Sequence, residues 1–425
     1  MTKFGFINYI ISVLLLTSCV GGRTSDTQAD VASDAKLLFT VPSDALAVIH
    51  SEKADKALEI LDSLNAMKRI DLGKFESKTC ALSWCYTGTL SPLLAISVGK
   101  SSEDSTFVSN NIIAQAERLK LHWHYIPKSR SASNESILLL SKSEALIASS
   151  LRHISEGRSI VDAPHFSDAA SGVRDSDDFM LFSGKIAQRV LPREGIAGFS
   201  RSQISKFVDG AADWVIVDQS AQKIVAKPYY AHAGTSFASM LESLPAGSSE
   251  VYEILPDTTH FAISIPIQVE AYRIARESYL DASVKLTSYR KDIEALKKLT
   301  GKSPLNWEKE LNIQEVAIAK WEDRQILLVR PKKAGDDSEI KENPYKGFIP
   351  LLYGDVFKIE DDSYHTTFSS WHLFGSKDDL ESFINYPGRI LNTDWHEKKC
   401  HLTLLHKDNV LCWNKNEISL WNINQ

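Results

Sequence analysis

LFTVPSDALAVIH, at residues 38–50, is the stretch that decides the fold, because a similar one, EILPDTTHFAISI, returns at residues 253–265. Each combines apolar residues, a polar turn that contains proline, and an apolar run of the length and composition of a strand. Each precedes a pattern typical of a helix, at 54–64 and at 267–299. The recurrence predicts an internal repeat. Chance recurrence of a common strand–turn–helix pattern is the alternative.

A second pair of segments follows the first pair in the same order along the chain. SILLLSKSEAL, at residues 136–146, and WHLFGSKDDL, at residues 371–380, each predict a strand that runs into a helix. In both, a small polar residue precedes an acid at the helix start, where it can accept hydrogen bonds from unpaired backbone N–H groups. The order predicts an α+β fold with two related lobes, each a mostly antiparallel sheet with helices packed on one face.

A long helix over 267–299 is the clearest single element. Apolar residues recur every three or four positions from Tyr272 to Leu296, as on one face of a helix. Pro266 lies at the predicted start and Gly301 just past the end, which is the usual placement of these residues. We interpret the apolar stripe as core, with a face that binds a partner or a second copy as the alternative.

The segment LPAGSS, at residues 244–249, is the best candidate for a linker, because proline, glycine and serine interrupt regular structure. It divides the body into a first α+β domain at 36–248 and a second at 249–425. The second domain is predicted to end in a short β-meander of three strands.

The first residues, 1–18, predict a secretory signal peptide. Lys3 gives a charged start, and the apolar run over 4–16 is shorter than the roughly 20 residues that a transmembrane helix needs. An uncleaved anchor helix and a cleaved signal without a lipid are the alternatives. Residues 19–35 are rich in Gly, Ser, Thr, Asp and Ala and predict a flexible tether.

The signal peptide ends in LTSC, at residues 16–19. This resembles the lipobox of bacterial lipoproteins, in which an aliphatic residue and two small residues precede a cysteine. The resemblance implies cleavage before Cys19, palmitate or another acyl chain on that residue, and therefore the membrane as a partner. In diderm bacteria an Asp at the next position retains lipoproteins in the inner membrane, so Val20 favours the outer membrane. The leaflet stays open.

Four further cysteines form two pairs that are close in sequence, as disulfides in an oxidising compartment often are. They are Cys80 with Cys85, and Cys400 with Cys412. Each bond would stabilise the fold by about 2–3 kcal/mol. Buried free thiols are the alternative, because four cysteines allow three connectivities. A zinc site is disfavoured, because neither spacing contains the C-x2-C motif of zinc knuckles.

Two histidine motifs resemble metal sites without matching them. HWH, at residues 122–124, places two imidazoles on one face of a strand, with Trp123 expected inward; a third ligand, such as His232 or an Asp, cannot be assigned. His396 and His401 are five positions apart, whereas zincins place them four apart on one helix face. We therefore predict no metal ligand and no cofactor.

Two other features give weak indications of function. GTSFA, at residues 234–238, lacks the second glycine of a nucleophile elbow, so we predict no catalytic residue. The late tryptophans are interpreted as core, with a platform for a glycan or peptide as the alternative. They are Trp371, Trp395, Trp413 and Trp421.

The expected function is binding or scaffolding in the cell envelope. The net charge of −6, without a basic stripe, excludes nucleic acid as a partner. The body also loosely resembles uncharacterised envelope lipoproteins of diderm bacteria with tandem α+β repeats, through the lipobox, the turns at 42–44 and 256–258, and the element at 136–146; that group implies no activity. We expect a non-enzymatic lipoprotein with an envelope protein or a glycan as partner. A periplasmic or surface hydrolase acting on glycan or peptide is the alternative.

Overall fold

The structure is a computed structural model of the chain. It describes residues 37–99, 101–130, 135–171, 179–184, 186, 213–220, 223–229, 237–333, 335, 338–389, 399–406, 409–414 and 417–422. These residues form two compact units, the first comprising the described residues up to 229 and the second those from 237 onward. The predicted signal peptide, Cys19 and the tether lie outside the described residues.

The first unit is built on an antiparallel sheet. Its described strands are β1 (Ala47–Ser51), β2 (Cys80–Tyr86), β3 (Leu90–Ser97), β4 (His122–Ile126), β5 (Ile137–Ser141), β6 (Phe179–Ser183), β7 (Trp214–Ser220) and β8 (Lys223–Tyr229). They pair in the order β8-β7-β6-β1-β2-β3-β5-β4. The repeat-opening strand β1 is therefore central, and each of its residues is buried.

The second unit is built on another antiparallel sheet. Its described strands are β9 (Thr259–Pro266), β10 (Ile313–Trp321), β11 (Arg324–Pro331), β12 (Lys341–Glu342), β13 (Tyr364–Phe368), β14 (Trp371–Gly375), β15 (Leu402–His406), β16 (Asn409–Asn414) and β17 (Glu417–Asn422). They pair in the order β17-β16-β15-β9-β10-β11-β14-β13-β12. The final three strands form the predicted meander.

The two sheets have the same topology. In each, the first strand is central and pairs with the second strand and with a strand that returns from much later in the unit. If β9 is taken as the counterpart of β1, every described strand of the first sheet has a counterpart in the second sheet. Strand β12 of the second sheet has no counterpart among the described strands of the first. The predicted α+β class with two related lobes of antiparallel sheet is confirmed.

The helices connect and cover these strands. In the first unit the described helices are α1 (Ala54–Ser63), α2 (Ser102–Phe107), α3 (Ala114–Arg118), α4 (Glu144–Glu156) and α5 (Phe166–Ser171), with a π-helical segment (Val108–Ile113) between α2 and α3. In the second unit they are α6 (Phe237–Glu242), α7 (Val269–Ala282), α8 (Leu286–Thr300), α9 (Pro304–Leu311), α10 (Phe348–Tyr353) and α11 (Lys377–Asn385). Each is too short or too polar to cross a bilayer.

The predicted helix caps at the second pair of repeat segments are present. The Ser143 hydroxyl accepts a hydrogen bond from the Leu146 N–H at 3.3 Å and caps α4. The Ser376 hydroxyl accepts one from the Asp379 N–H at 3.1 Å and caps α11. Each serine therefore marks the point at which the chain leaves a strand, β5 or β14, and begins the following helix.

Helices of the first unit lie on both faces of its sheet rather than on one. Val48 and Leu139 form one core cluster with Leu146 of α4 and Phe166 of α5. Helix α1 contacts β1 and β2, and its buried Leu58 does not belong to that cluster. Covering both faces explains why β1, β5 and β6 are buried at every position, a pattern that alternation alone does not give.

The single helix predicted over 267–299 is wrong in the structure, which has α7 and α8 instead. Val284, between them, has φ +58°, a left-handed conformation that a β-branched residue rarely adopts and that ends a helix. The apolar spacing continues across this break, so the sequence pattern does not reveal it. Pro266 is the last residue of β9 rather than a helical residue. Gly301 ends α8 at φ +72°, as predicted.

The boundary between the two units precedes α6 rather than lying at 248/249. Helix α6 packs against α7. Gly247 and Cys400 form an antiparallel bridge, with backbone N–H to O distances of 3.0 and 2.8 Å. The predicted linker is therefore part of the second unit, because its backbone hydrogen bonds are made to the segment that leads into β15.

One of the two predicted disulfides is present. Cys400 and Cys412 are bonded, with their Cα atoms 5.6 Å apart. The predicted bond between Cys80 and Cys85 is wrong, since both are buried thiols on β2 that form no disulfide. Five positions along a strand separate Cα atoms by roughly 16 Å, far beyond the roughly 7 Å limit for a disulfide. Burial, with a contribution from Asp44, raises the pKa of Cys85 to about 12, so this thiol is unreactive.

Reduction of the Cys400–Cys412 bond is expected to lower the free energy of unfolding of the second unit. The bond spans 12 positions, and closing a loop of that length contributes about 3 kcal/mol in the chain-entropy treatment. Urea unfolding with and without dithiothreitol measures the difference. A Cys80→Ala/Cys85→Ala variant should keep the full response to the reductant. Loss of the response in that variant would contradict the assignment.

Candidate functional site

Among the described strands, β4 is an open edge of the first sheet. Among the described residues it pairs only with β5. His122, Trp123 and His124 are exposed, and Ile126 is buried. An edge strand offers a row of backbone N–H and C=O groups that another strand can pair with. This edge can therefore accept an extended polypeptide.

Lysines lie at both ends of this edge. Lys120 precedes β4 and Lys128 follows it, and both are exposed. Lysines near edge strands oppose uncontrolled pairing between copies of a protein. Both stand outside the strand, so the five residues of β4 contain no permanently charged side chain. The lysines therefore leave the backbone groups of β4 itself unblocked.

A groove of about 360 Å³ lies between β4 and α4. Glu144, Ile147, Ala148 and Leu151 line it from the helix, and their spacing of three, four and seven positions places them on one helix face. His122 and Trp123 are among the residues that line it from the strand. We call this the edge groove. It is apolar along its helix wall, with a carboxyl group and an imidazole at the end where α4 begins.

A larger cleft of about 580 Å³ lies where the β2–β3 hairpin approaches the start of α4. Its polar wall contains the hydroxyls of threonines and serines and the ammonium group of Lys142. Its apolar wall includes Trp84, Leu64 and Pro92. The described residues that line it include neither a carboxyl group nor an imidazole. This hairpin cleft has the chemistry of a binding surface.

The histidine pair predicted at 122–124 lies in the edge groove region. Both imidazoles share one face of β4, as predicted, and burial lowers the pKa of His124. Trp123 is 37% exposed, so the expectation that it faces inward is wrong. The described residues contain no group of three side chains that could hold a metal ion. His232 lies outside the described residues.

The other motifs of the sequence do not converge on a site. His401 is buried, and its ring lies 5.1 Å from that of Trp413, which fits a core contact. His396 and residues 234–236 lie outside the described residues. Of the late tryptophans, Trp371 and Trp413 are buried, as the core interpretation predicts, whereas the description does not extend to the side chains of Trp395 and Trp421.

A buried carboxyl group lies among the helices of the second unit. Glu308 of α9 is 2% exposed, and its Oε1 accepts a hydrogen bond from the Tyr353 hydroxyl at 2.7 Å. Burial raises the pKa of Glu308 to about 7, against the opposing effects of that hydrogen bond and of Arg273 and Arg276. Shifted carboxyl groups are frequent at active sites. Because water hardly reaches Glu308, we interpret it as a structural contact between α9 and α10.

The raised pKa of Glu308 predicts a stability that falls as pH rises. Between pH 4.5 and about 7 the folded protein keeps a proton that the unfolded chain has lost. The free energy of unfolding should therefore fall across this window, by at most about 3 kcal/mol. Glu308→Gln should remove this component. Urea unfolding of both proteins at pH 5 to 8 gives the difference curve, and a flat difference would contradict the shift.

Sequence reasoning missed the edge groove. Its helix wall was available as a signal, because Glu144, Ile147, Ala148 and Leu151 recur at helical spacing. Its strand wall was not, because which strand stands at the edge depends on how strands far apart in sequence pair. Comparisons with protein-family models, with curated proteins and with solved structures found no significant match to this chain.

Proposed function

We propose that this protein is a lipid-anchored protein of the cell envelope that binds an extended segment of another envelope protein. The bound segment adds a strand to β4 and places side chains in the edge groove. The observation that carries the proposal is an open strand edge, in the described part of the first unit, directly beside a groove that has Ile147, Ala148 and Leu151 along its helix wall.

The strand edge supplies affinity that is independent of sequence. Each added residue pair satisfies backbone groups that water otherwise solvates, as in other proteins that bind peptides by strand addition. The five residues of β4 match the usual length of a strand in globular proteins. A segment of five or six residues is therefore long enough to pair with the whole edge.

The edge groove supplies selectivity. Side chains of the added strand alternate between faces, so every second one points toward α4. Ile147 and Leu151 offer apolar contacts there, and Ala148 leaves room because it is small. Burying one aliphatic side chain contributes about 1.5–3 kcal/mol. We therefore expect the groove to prefer segments with an aliphatic residue on that face.

The lipid anchor places this edge near envelope partners. A tether of residues 19–35 would hold the body within reach of neighbouring proteins. The hydrolase alternative stays a prediction, since Glu308, the carboxyl group whose pKa burial raises to about 7, is enclosed by helices rather than exposed in a cleft.

Selection of peptides from a random library tests the proposal. Displayed ten-residue peptides are selected on the mature protein, and their affinities are measured by fluorescence anisotropy. Ala148→Tyr fills the groove and is expected to weaken binding at least tenfold, because it displaces one buried aliphatic side chain. Ala145→Tyr is the matched control, since Ala145 is also an exposed alanine of α4 but does not line the groove.

The two variants separate binding from folding. Ala145→Tyr should bind selected peptides within twofold of the wild-type protein. Failure to select any peptide, or an equal loss of affinity in both variants, would reject the proposal. Circular dichroism of both variants shows whether the fold is retained.

A further inference from the structure

The second unit already has a strand on the edge that corresponds to β4. There, β12 pairs antiparallel with β13, with Lys341 opposite His365 and Glu342 opposite Tyr364. Strand β13 takes the place of β4, because it pairs with β14 as β4 pairs with β5. The chain has thus covered one copy of this edge and left the other uncovered in the described part of the first unit.

The covering segment also fills the space beside the helix. Ile340, which immediately precedes β12, packs against the core cluster that contains Leu373 of β14 and Leu380 of α11. Ile384 of α11 packs against the same cluster. Because side chains alternate along an extended chain, Ile340 and Glu342 share the face toward α11, and Lys341 faces the other way.

The two edges can be aligned residue by residue, because a slip of one position would reverse the faces of a strand. Leu139 of β5 and Leu373 of β14 both belong to the core beside the following helix. Their partners are His124 and Thr366. It follows that His122 corresponds to Tyr364 and that Trp123 corresponds to His365.

We infer that the ligand of the edge groove is an extended segment that runs antiparallel to β4, with an aliphatic residue opposite His124 and an acidic residue opposite His122. Ile340, Lys341 and Glu342 are the example within this chain. The inference rests on the proposed function and specifies its ligand. The middle residue lies opposite Trp123, on the other face of the added strand from these two residues, and we expect it to contribute less to binding.

The chemistry of the first unit fits this pattern. The aliphatic residue would contact Ile147 and Leu151, which line the helix wall. The acidic residue would lie beside the His122 imidazole and within the field of the exposed Lys120, two positions before it. These two groups would offset the repulsion from the Glu144 carboxylate, which lines the same end of the groove. Placed in the opposite direction, the same segment would put its carboxylate beside the apolar part of α4, where burial of a charge is unfavourable.

Disulfide trapping with the chain's own segment as the probe tests direction and register. The probe is an acetylated peptide with the sequence of residues 338–343, SEIKEN, carrying one cysteine. The mature protein carries His122→Cys or Trp123→Cys, both at exposed positions. With glutathione redox buffer, His122→Cys should trap the peptide Glu342→Cys, and Trp123→Cys should trap the peptide Lys341→Cys. Each of these pairs should react at least tenfold faster than the two exchanged pairs, which are His122→Cys with the peptide Lys341→Cys and Trp123→Cys with the peptide Glu342→Cys.

A second peptide change tests the groove contact. Ile340→Asp should slow trapping at least tenfold, whereas Lys341→Ala, trapped through Glu342→Cys, should leave it unchanged. Faster reaction of the exchanged pairs, equal rates for all pairs, or no trapping overturns the inferred ligand. If library peptides nevertheless bind in a way that Ala148→Tyr abolishes, the proposed function stands and only the ligand pattern fails. If no library peptide binds, the proposed function itself fails.

Discussion

Replacing Cys19 by alanine is expected to abolish the incorporation of palmitate into the protein and to leave residues 1–18 attached. Of the residues LTSC, at 16–19, only Cys19 has a thiol, and the resemblance to a lipobox implies that this thiol carries the lipid and that cleavage occurs before Cys19. Each buried CH₂ of an acyl chain contributes about 0.8 kcal/mol to membrane binding, so losing the predicted acyl chains should release the protein from the membrane.

Metabolic labelling with palmitate and mass spectrometry of the mature N-terminus measure this effect. Ser18→Ala is the matched control, because the lipobox accepts a small residue at that position, and it should keep the label. An unmodified full-length product in the wild type, or label that persists in Cys19→Ala, would contradict the anchor. The proposed location in the cell envelope would then fail, whereas peptide binding at β4 would still be tested separately.

Replacing Glu315 by alanine is expected to lower the free energy of unfolding of the second unit by about 3–5 kcal/mol, the usual result of removing one member of a buried charged network. Glu315 lies on β10 and is fully buried. Its Oε1 accepts hydrogen bonds from the hydroxyls of Ser249 at 2.6 Å and Ser264 at 2.5 Å. Those groups would lose their acceptor in the variant.

The other carboxylate oxygen of Glu315 completes the network. Oε2 accepts a hydrogen bond from the Glu250 N–H at 2.9 Å and lies 3.4 Å from Nε of Arg330. Arg330 also contacts the Glu250 carboxylate at 2.9 Å. Burial raises the pKa of Glu315, and these hydrogen bonds and Arg330 oppose the rise. The network holds residues 249–251 on the sheet, so its loss should also release the segment that begins the second repeat.

Urea unfolding measures the effect, with two variants for comparison. Glu315→Gln keeps an acceptor oxygen for the hydroxyls and should cost less than Glu315→Ala. Glu310→Ala removes an exposed glutamate of α9 and should change the free energy of unfolding by less than about 0.5 kcal/mol. Equal values for Glu315→Ala and Glu310→Ala would show that the buried network does not stabilise the unit.

Glu315 also shows a limit of reading the sequence. It shares a face of β10 with Ala317 and Ala319, and that face packs in the core. The alternation of residues along the strand could therefore have predicted that this acid is buried. Its partners were not readable, because Ser249 and Ser264 come from a separate segment and from β9. A buried charge needs partners, but only tertiary contacts determine which ones.

The repeat was readable for a physical reason. Strand and helix starts depend on local features, namely a turn with proline, an apolar run and a serine cap, and both copies carry them in the same order. The Cys80–Cys85 prediction failed because proximity in sequence was taken for proximity in space, and an extended strand holds two such cysteines far apart. The same reasoning gave the correct prediction for Cys400 and Cys412, because the chain turns back between them.

By itself, the sequence determined the α+β class, the duplicated order of elements and the expectation of a lipid on Cys19, because each depends on residues that are adjacent in the chain. The tertiary structure decided which of the described strands stand at the edges, and therefore that β4 is open beside α4 in the described part of the first unit whereas β13 is covered by β12. Pairing between strands is a non-local choice, fixed by which faces are buried together. The candidate binding site follows from that choice and from no motif.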